Sequence, residues 1–205
     1  MGINLYLSPH LDDAVLSCGG LIHRQRAAGD SVSIVNLCAG VPDYSQLSPL
    51  AQQYHAAWGD GADPVVSRRA EDEAVLSELG VAARYLDTPD SIYRRVGGRV
   101  AYPDLAALFS EPHPRERDAL PALWHQELRG SLGNSGQTVI YAPLGAGNHV
   151  DHQLGCALGS RLMKAGWAVW FYEDFTHVES PGAREEAMAR FSSSGWQNQT
   201  IRIDI

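Results

Sequence analysis

A strand, a helix and a second strand are predicted within the first 40 residues, and this order restricts the fold more than any other feature of the sequence. Residues 3–7 form a short apolar run that ends at Ser8-Pro9, and residues 31–38 form a second apolar run. Between them, apolar residues at helical spacing extend from about 14 to 28. Such a βαβ unit implies a parallel sheet. Gly19-Gly20 inside the helix predicts close packing against a strand.

The rest of the chain continues to alternate between strands and helices. Further strands are predicted at residues 83–86, 138–142 and 167–172. Helices are predicted at residues 50–58, 67–79, 103–109, 122–129, 149–165 and 181–191. This pattern predicts an α/β fold, a Rossmann-like three-layer sandwich with a mostly parallel sheet, built as a single domain over residues 1–205. Segments 41–64 and 87–121 are long for connections, and whether they order around a ligand is left open.

The composition narrows the function classes. The chain carries a net charge of −8 and no Lys- or Arg-rich block, which argues against nucleic acid or an anionic membrane as a partner. No apolar run approaches the roughly 20 residues that cross a bilayer, and no leader-like segment opens the chain, so we expect no membrane insertion and a cytoplasmic location. Cys18, Cys38 and Cys156 fit reduced, buried thiols better than a disulfide scaffold.

Two clusters of metal-binding side chains follow predicted strands, one after residues 3–7 and one after residues 138–142. Because the carboxyl ends of parallel strands meet at one edge of a sheet, where ligands bind, the two clusters can meet in space. Their imidazoles and carboxylates suit zinc or another divalent first-row metal. The candidates are His10, Asp12, Asp13, His149, Asp151 and His152. A metal site at the carboxyl ends of the strands is therefore predicted.

Six candidates exceed what a catalytic zinc needs, since it usually takes three protein ligands and leaves one position for water. Asp12 and Asp13 are adjacent, and in a tight turn their side chains point in different directions. We expect one of them to bind the metal and the other to act as general base on a water whose pKa the metal lowers to about 7. A simpler interpretation stays open, in which each cluster only caps a helix.

The sequence resembles the PIG-L or LmbE-like family of metal-dependent N-deacetylases. The resemblance lies within residues 3–175, in Pro9-His10-Leu11-Asp12-Asp13, in the Arg-x-x-Glu and Leu-Gly of segment 68–80, and in His149-Val150-Asp151-His152. It implies a zinc-dependent hydrolase that removes acetyl groups from the nitrogen of amino sugars or glycoconjugates.

The same resemblance implies a role for each candidate. The implied metal ligands are His10, Asp13 and His152. Asp12 becomes the general base, and His149 becomes the positively charged partner of the oxyanion, oriented by Asp151. Arg68 resembles the family's substrate-contacting arginine, with Arg69 as the competing choice.

Two positions of the first motif depart from the family pattern. Leu11 and Ala14 stand where the family usually has Pro and Glu, so a carboxylate that would support the ligands is absent.

Two alternative functions are kept: hydrolysis of another amide-linked amino-sugar conjugate, and non-catalytic binding of a metal or a sugar. The expected partner is a small amino sugar or glycoconjugate, and a homo-oligomer is left open.

Residues outside the motifs provide secondary candidates. Trp58 and Tyr93 offer apolar faces to a sugar ring, although ordinary packing is the better default for each. Asp174 follows the last predicted strand at the same sheet edge, where it either supports the site or stands in solvent. His177 is expected to be a surface or capping histidine.

Overall fold

Five parallel strands form the central sheet of the protein. The computed structural model describes residues 1–59, 61, 63–133 and 135–191. The strands within these residues are β1 (Ile3–Ser8), β2 (Ser31–Asn36), β3 (Ala82–Tyr85), β4 (Arg95–Val96), β5 (Arg99–Val100), β6 (Thr138–Pro143) and β7 (Ala168–Tyr172). The sheet has the order β3-β2-β1-β6-β7, and each neighbouring pair is parallel. β4 and β5 form a separate antiparallel hairpin.

Helices cover both faces of this sheet and its carboxyl edge. They are α1 (Asp13–Ala27), α2 (Pro49–Trp58), α3 (Pro64–Glu78), α4 (Leu105–Leu108), α5 (Pro114–Arg117), α6 (Ala119–Leu128), α7 (Val150–Lys164) and α8 (Ala183–Ala189). The side chains of Ser48 and Asp63 accept N–H bonds from the first turns of α2 and α3, and a proline follows each of them. α3 therefore begins at residue 64, earlier than the predicted start at 67.

The side chains of β1 alternate between two cores, one on each face of the sheet. Leu5 and Leu7 pack with Trp124 of α6 and with the apolar residues of α7. Tyr6 packs on the opposite face with Ile22 of α1 and with α3. Two helices on each face of one sheet give three layers, so the predicted Rossmann-like sandwich with a mostly parallel sheet is confirmed.

The order of the strands reverses at β1. The chain fills one side of β1 with β2 and β3, and it later fills the other side with β6 and β7. The turns that follow β1 and β6 therefore border one crevice at the carboxyl edge, which is where open α/β sheets bind ligands. Both predicted clusters lie in these two turns.

The described residues of segments 41–64 and 87–121 contribute to the walls of this crevice. Both contain short helices, and the second also contains the β4–β5 hairpin. Leu50 of α2 and Ile92 pack with Val150 at the start of α7 in a small separate core. The two segments are therefore attached to the same helix that carries the second cluster.

No helix within the described residues is long and apolar enough to cross a membrane. The three cysteines are buried free thiols, as expected. The predicted single domain also includes residues 192–205, which lie outside the described residues.

Candidate metal centre

The turn after β1 places two adjacent aspartates in different surroundings. Ser8 closes this turn, because its hydroxyl donates to the carbonyl of His10 at 2.6 Å and accepts the N–H of Ala14 at 3.0 Å. Asp12 has a φ of 99°, a left-handed conformation that residues other than glycine rarely adopt. The exposed fraction of the side chain is 12% for Asp13 and 55% for Asp12. One carboxylate is thus buried in the site, and the other faces the crevice.

The turn after β6 carries the second cluster to the same place. Gly145 and Gly147 have φ values of 77° and 73°, which glycine adopts without strain. His149 caps α7, and its Nδ1 accepts the N–H of Asp151 at 3.3 Å. The first turn of α7 then places Asp151 and His152 in the floor of the crevice, with exposed fractions of 0% and 1%.

Two of the three predicted ligands, His10 and His152, point a ring nitrogen at the same oxygen of the third, Asp13. Oδ2 of Asp13 lies 3.3 Å from Nδ1 of His10 and 3.2 Å from Nε2 of His152. Ligands of a tetrahedral zinc ion with bonds of about 2.0–2.1 Å lie about 3.3 Å apart. In addition, Nε2 of His152 is buried without a hydrogen-bond partner. The donor types and these two distances are therefore compatible with a zinc ion.

A buried carboxylate lies beside each of the two candidate ligand imidazoles. Nε2 of His10 lies 3.0 Å from Oδ2 of Asp151, and Nδ1 of His152 lies 2.7 Å from Oδ1 of Asp174. The second oxygen of Asp174 accepts the N–H groups of Gly145 and Ala146. Such carboxylates fix the ring of a metal-binding histidine and leave its other nitrogen free for the metal.

The structure places Asp151 differently from the expectation that it orients His149. Its carboxylate contacts His10, the N–H of Ser91 and the guanidinium of Arg94. The link to His149 runs through the backbone N–H of Asp151. The side chain of Asp151 therefore orients His10.

The surroundings of His149 in this structure favour a neutral hydrogen-bond donor, whereas the resemblance implies a positively charged group, and its role in the reaction stays a prediction. Burial and the charge of His10 hold the pKa of His149 well below its ordinary value. Because Nδ1 accepts the backbone N–H of Asp151, the ring proton lies on Nε2.

Two combinations of side chains that differ from the predicted ligand set bring possible ligand atoms within 4.8 Å of one another. One is His10, His149 and His152, and the other is His10, Asp90 and Asp151. His149 differs from His10 and His152 in that its second nitrogen is held by a backbone N–H. A carboxylate or a carbonyl, which accepts a proton from the ring, is the usual partner of a metal-binding histidine. This difference favours His10 and His152 as ligands.

Charges within the site shift the pKa values of its members. Burial opposes the charged form of His152, but Asp13 and Asp174 raise its pKa to about 9. Burial likewise opposes ionisation of Asp13, but the charge of His152 holds its pKa well below the ordinary value. Desolvation and the charge of Asp13 raise the pKa of Asp12 to about 6. In the metal-free protein, the charge of His152 therefore compensates Asp13, as a metal ion would.

The two candidate arginines have different positions. Nη2 of Arg68 lies 3.6 Å from Oδ2 of Asp12, and its guanidinium lies over the ring of Trp58 at 4.8 Å. Arg69 instead donates to the carbonyl of Ala39 through Nε at 2.7 Å. Arg68 lines the crevice, whereas Arg69 binds a backbone carbonyl.

Three residues of the site could not be placed from the sequence. Asp90 lies 3.6 Å from His10, the ring of His177 lies 4.7 Å from that of His152, and Arg94 forms an ion pair with Asp151. Asp90 and Arg94 come from a segment without periodicity, and their immediate neighbours give no signal that they belong to the site. His177, expected at the surface, is half-buried beside the ligands.

A crevice at the reversal of a parallel sheet, with candidate histidine and aspartate ligands at its floor and an exposed carboxylate at its rim, is typical of metal-dependent hydrolases. Comparisons with known proteins narrow this class. The sequence model of the PIG-L family, described as GlcNAc-PI de-N-acetylase, matches residues 5–163. The chain belongs to this family.

Curated relatives of the chain are deacetylases. The 2'-N-acetylparomamine deacetylase of Niallia circulans is 28% identical over 98% of this chain and 74% of its own length. The enzyme of the same name from Streptomyces fradiae is 29% identical over 86% of this chain and 58% of its own length.

Solved structures agree with this relationship. The zinc-inhibited form of the teicoplanin deacetylase Orf2 is 29% identical, with a TM-score of 0.77 over 88% of this chain and 71% of that chain. A deacetylase–teicoplanin complex is 27% identical, with a TM-score of 0.75 over 94% of this chain and 88% of that chain. The predicted family and the predicted reaction class, deacetylation, are confirmed.

Proposed function

We propose that the protein hydrolyses the N-acetyl group of a small amino sugar or amino-sugar conjugate. The observation that carries this proposal is the pair of adjacent aspartates, with Asp13 buried between two imidazoles and Asp12 turned into the crevice beside Arg68. This arrangement separates metal binding from proton transfer. In the reaction, the oxygen of water adds to the acetyl carbonyl, the C–N bond breaks, and acetate and a free amine are formed.

His10, Asp13 and His152 would hold the metal, with zinc or another divalent first-row ion as the candidate. When bound, such an ion supplies a Lewis acid and lowers the pKa of water. Asp12 takes the proton of the attacking water and returns it to the departing amine, which requires a base near the metal and open to the substrate.

His149 and Asp151 complete the proposed machinery. The Nε2–H of His149 donates to the oxygen that becomes negative in the tetrahedral intermediate, and Nδ1 is held by the backbone. Asp151 fixes the ring of His10. The start of α7 thus fixes the positions of both His149 and Asp151.

The walls of the crevice suit a sugar that carries further amines. Trp58, Arg68, Asp90 and Tyr93 line a pocket that also includes His10. Aromatic faces pack on the apolar face of a sugar ring, and Asp90, in a chain with a net charge of −8, favours a cationic ligand. An N-acetylated pseudodisaccharide of the paromamine type, the substrate named for two relatives, combines these features.

A larger conjugate is the second candidate, because the structural neighbours include a complex of a deacetylase with teicoplanin. Non-catalytic binding loses its support, since the matched family and relatives are deacetylases. The cytoplasmic location stays a prediction, and the oligomeric state stays open.

The test is release of free amine by the zinc-supplemented protein. The panel contains N-acetylglucosamine, an N-acetylated aminoglycoside pseudodisaccharide and an N-acetylated glycopeptide. We expect the highest kcat/KM on the pseudodisaccharide, release at least about 100-fold slower by the Asp12→Asn variant, and no release in the presence of a chelator. Release from none of the three compounds would contradict the proposed substrate class, and equal release by Asp12→Asn would contradict the mechanism.

A further inference from the structure

A buried arginine stands behind the candidate metal centre. Arg94 is 5% exposed and follows the short 3-10 helix at Ser91–Tyr93. Its Nη1 lies 2.5 Å from Oδ1 of Asp151, and its Nε lies 3.1 Å from Oε1 of Glu116. Arg94 thus connects a carboxylate that touches the ligand His10 with a carboxylate on α5.

The far side of Arg94 is fixed by further contacts. The second oxygen of Glu116 accepts the hydroxyl of Tyr102 at 2.7 Å, and that hydroxyl accepts the N–H of His113 at 2.9 Å. The guanidinium also lies 5.3 Å from the ring centre of Tyr102. Arg94 is therefore held in one position by residues that do not touch the metal ligands themselves.

Asp151 depends on this arginine more than on its other partners. Its side chain has no exposed surface, and a buried charge is strongly unfavourable unless an opposite charge and hydrogen bonds compensate it. The N–H of Ser91 donates to Oδ2 at 3.0 Å, but Arg94 supplies a permanent positive charge. Without Arg94, a fully buried carboxylate would lose its compensating charge and its fixed orientation.

We propose that Arg94 is a positioning residue of the metal site, which acts through Asp151. Arg94 fixes the carboxylate of Asp151, which accepts a hydrogen bond from Nε2–H of His10. This hydrogen bond directs Nδ1 of His10 toward Asp13. Segment 87–121 consequently sets the affinity of the site for metal, although none of the proposed ligands belongs to it.

Metal binding of four proteins tests this role: the wild type, Arg94→Met, Asp151→Asn and the double variant. Co²⁺ affinity is measured by competition with a chromophoric chelator, after circular dichroism has shown that each protein is folded. Loss of a residue that supports a metal ligand typically lowers affinity 10- to 100-fold, and we expect losses in this range for both single variants. The double variant should bind no more weakly than Asp151→Asn, because Arg94 acts through Asp151.

Arg69→Met is the matched control, since Arg69 is a half-buried arginine that contacts a backbone carbonyl and not a metal ligand. It should keep Co²⁺ affinity within threefold of the wild type. Unchanged affinity in Arg94→Met, or losses that multiply in the double variant, would overturn the proposal.

If Arg94→Met does not fold, Arg94→Lys takes its place. Lysine keeps a positive charge but cannot reach Asp151 and Glu116 together as the guanidinium does, so a 3- to 10-fold loss that disappears in the Asp151→Asn background is expected. A loss that persists in that background would overturn the proposal. Metal affinity does not depend on the substrate, so failure of the proposed deacetylation would leave this result unaffected.

Discussion

At the scale of single residues, the backbone of Asp12 explains how two adjacent carboxylates come to lie in different surroundings, as their proposed roles require. The positive φ of Asp12 turns its side chain away from Asp13 and toward the crevice. A residue other than glycine in this conformation is strained, and such strain is found at functional sites, where it serves the mechanism. The strain at Asp12 is therefore consistent with a general base.

Substitutions of Asp12 should separate its chemistry from its backbone. Asp12→Asn should lower kcat by about 10²- to 10⁴-fold, because the general base is lost. Asparagine tolerates positive φ, so the free energy of unfolding should not fall. Asp12→Ala should lose the same activity and also about 1 kcal/mol of stability. The measurements are steady-state rates and urea unfolding, and an asparagine variant with wild-type kcat would exclude Asp12 as the base.

Replacement of His149 distinguishes a hydrogen-bond donor from a metal ligand. His149→Ala should lower kcat by about 10²- to 10³-fold while zinc affinity stays within about threefold, because the oxyanion loses a donor. His152→Ala, as the comparison, should lose zinc binding. Zinc content after dialysis, measured beside kcat, decides between the roles. Equal loss of zinc in both variants would assign His149 to the metal through the alternative His10, His149 and His152 set.

At the scale of elements, α7 must lie close to β6 to bring His152 to its position. A Cβ atom added at Gly159 would lie 2.5 Å from Cβ of Ala142 and 2.9 Å from Cε1 of Phe171. The sequence predicted close packing of a helix against a strand at Gly19-Gly20. A Cβ atom added at Gly19, however, would meet only Val15 of its own helix, at 3.7 Å. For Gly19, the predicted close packing against a strand is wrong.

Alanine at these two helical glycines should change stability in opposite directions. Gly159→Ala should lower the free energy of unfolding by about 1 to 3 kcal/mol, because the added methyl group overpacks the interface of α7 with β6. Gly19→Ala should raise it by up to about 1 kcal/mol, because the position has space and alanine favours a helix. Urea unfolding of both variants provides the comparison. Stabilisation by Gly159→Ala would contradict the close approach of α7.

The same elements show what could be predicted from the sequence. Both clusters follow apolar runs that form adjacent parallel strands, so a local pattern was enough to bring His10 and His152 together. Asp90 and Arg94 lie in segment 87–121, which has neither the period of a helix nor that of a strand. Arg94 is paired with Asp151 and Asp90 lies beside His10, and both partners are distant in the sequence. A local pattern contains no information on such distant pairs.

At the scale of the whole molecule, the metal site joins the two halves of the sheet. Asp13 opens α1 on one side of the reversal point, and His152 lies in α7 on the other. The ion pair of Asp13 and His152, at 3.2 Å, or a metal ion bound by both, therefore connects α1 to α7. Protonation of the site and global stability are coupled for this reason.

The metal-free protein should lose stability as the pH rises. The pKa of His152 is raised from 6.5 to about 9, so its stabilising charge is fully present below about pH 6.5 and is lost as the pH rises through 9. Urea unfolding in the presence of a chelator should show a fall of about 2 to 3 kcal/mol between pH 6.5 and 8.5. Saturating zinc should remove this fall, because metal binding displaces the same protons.

The slope should be shallower in a His152→Gln variant under the same conditions. His10 contributes the remainder, because Asp90, Asp13 and Asp151 raise its pKa against the effect of burial. A free energy of unfolding that does not change with pH in the metal-free wild type would show that the two halves of the sheet are held together without this charge pair. In that case packing alone would position the ligands. The gain in the free energy of unfolding on zinc binding would then be the same at every pH, provided that zinc saturates the site to the same degree.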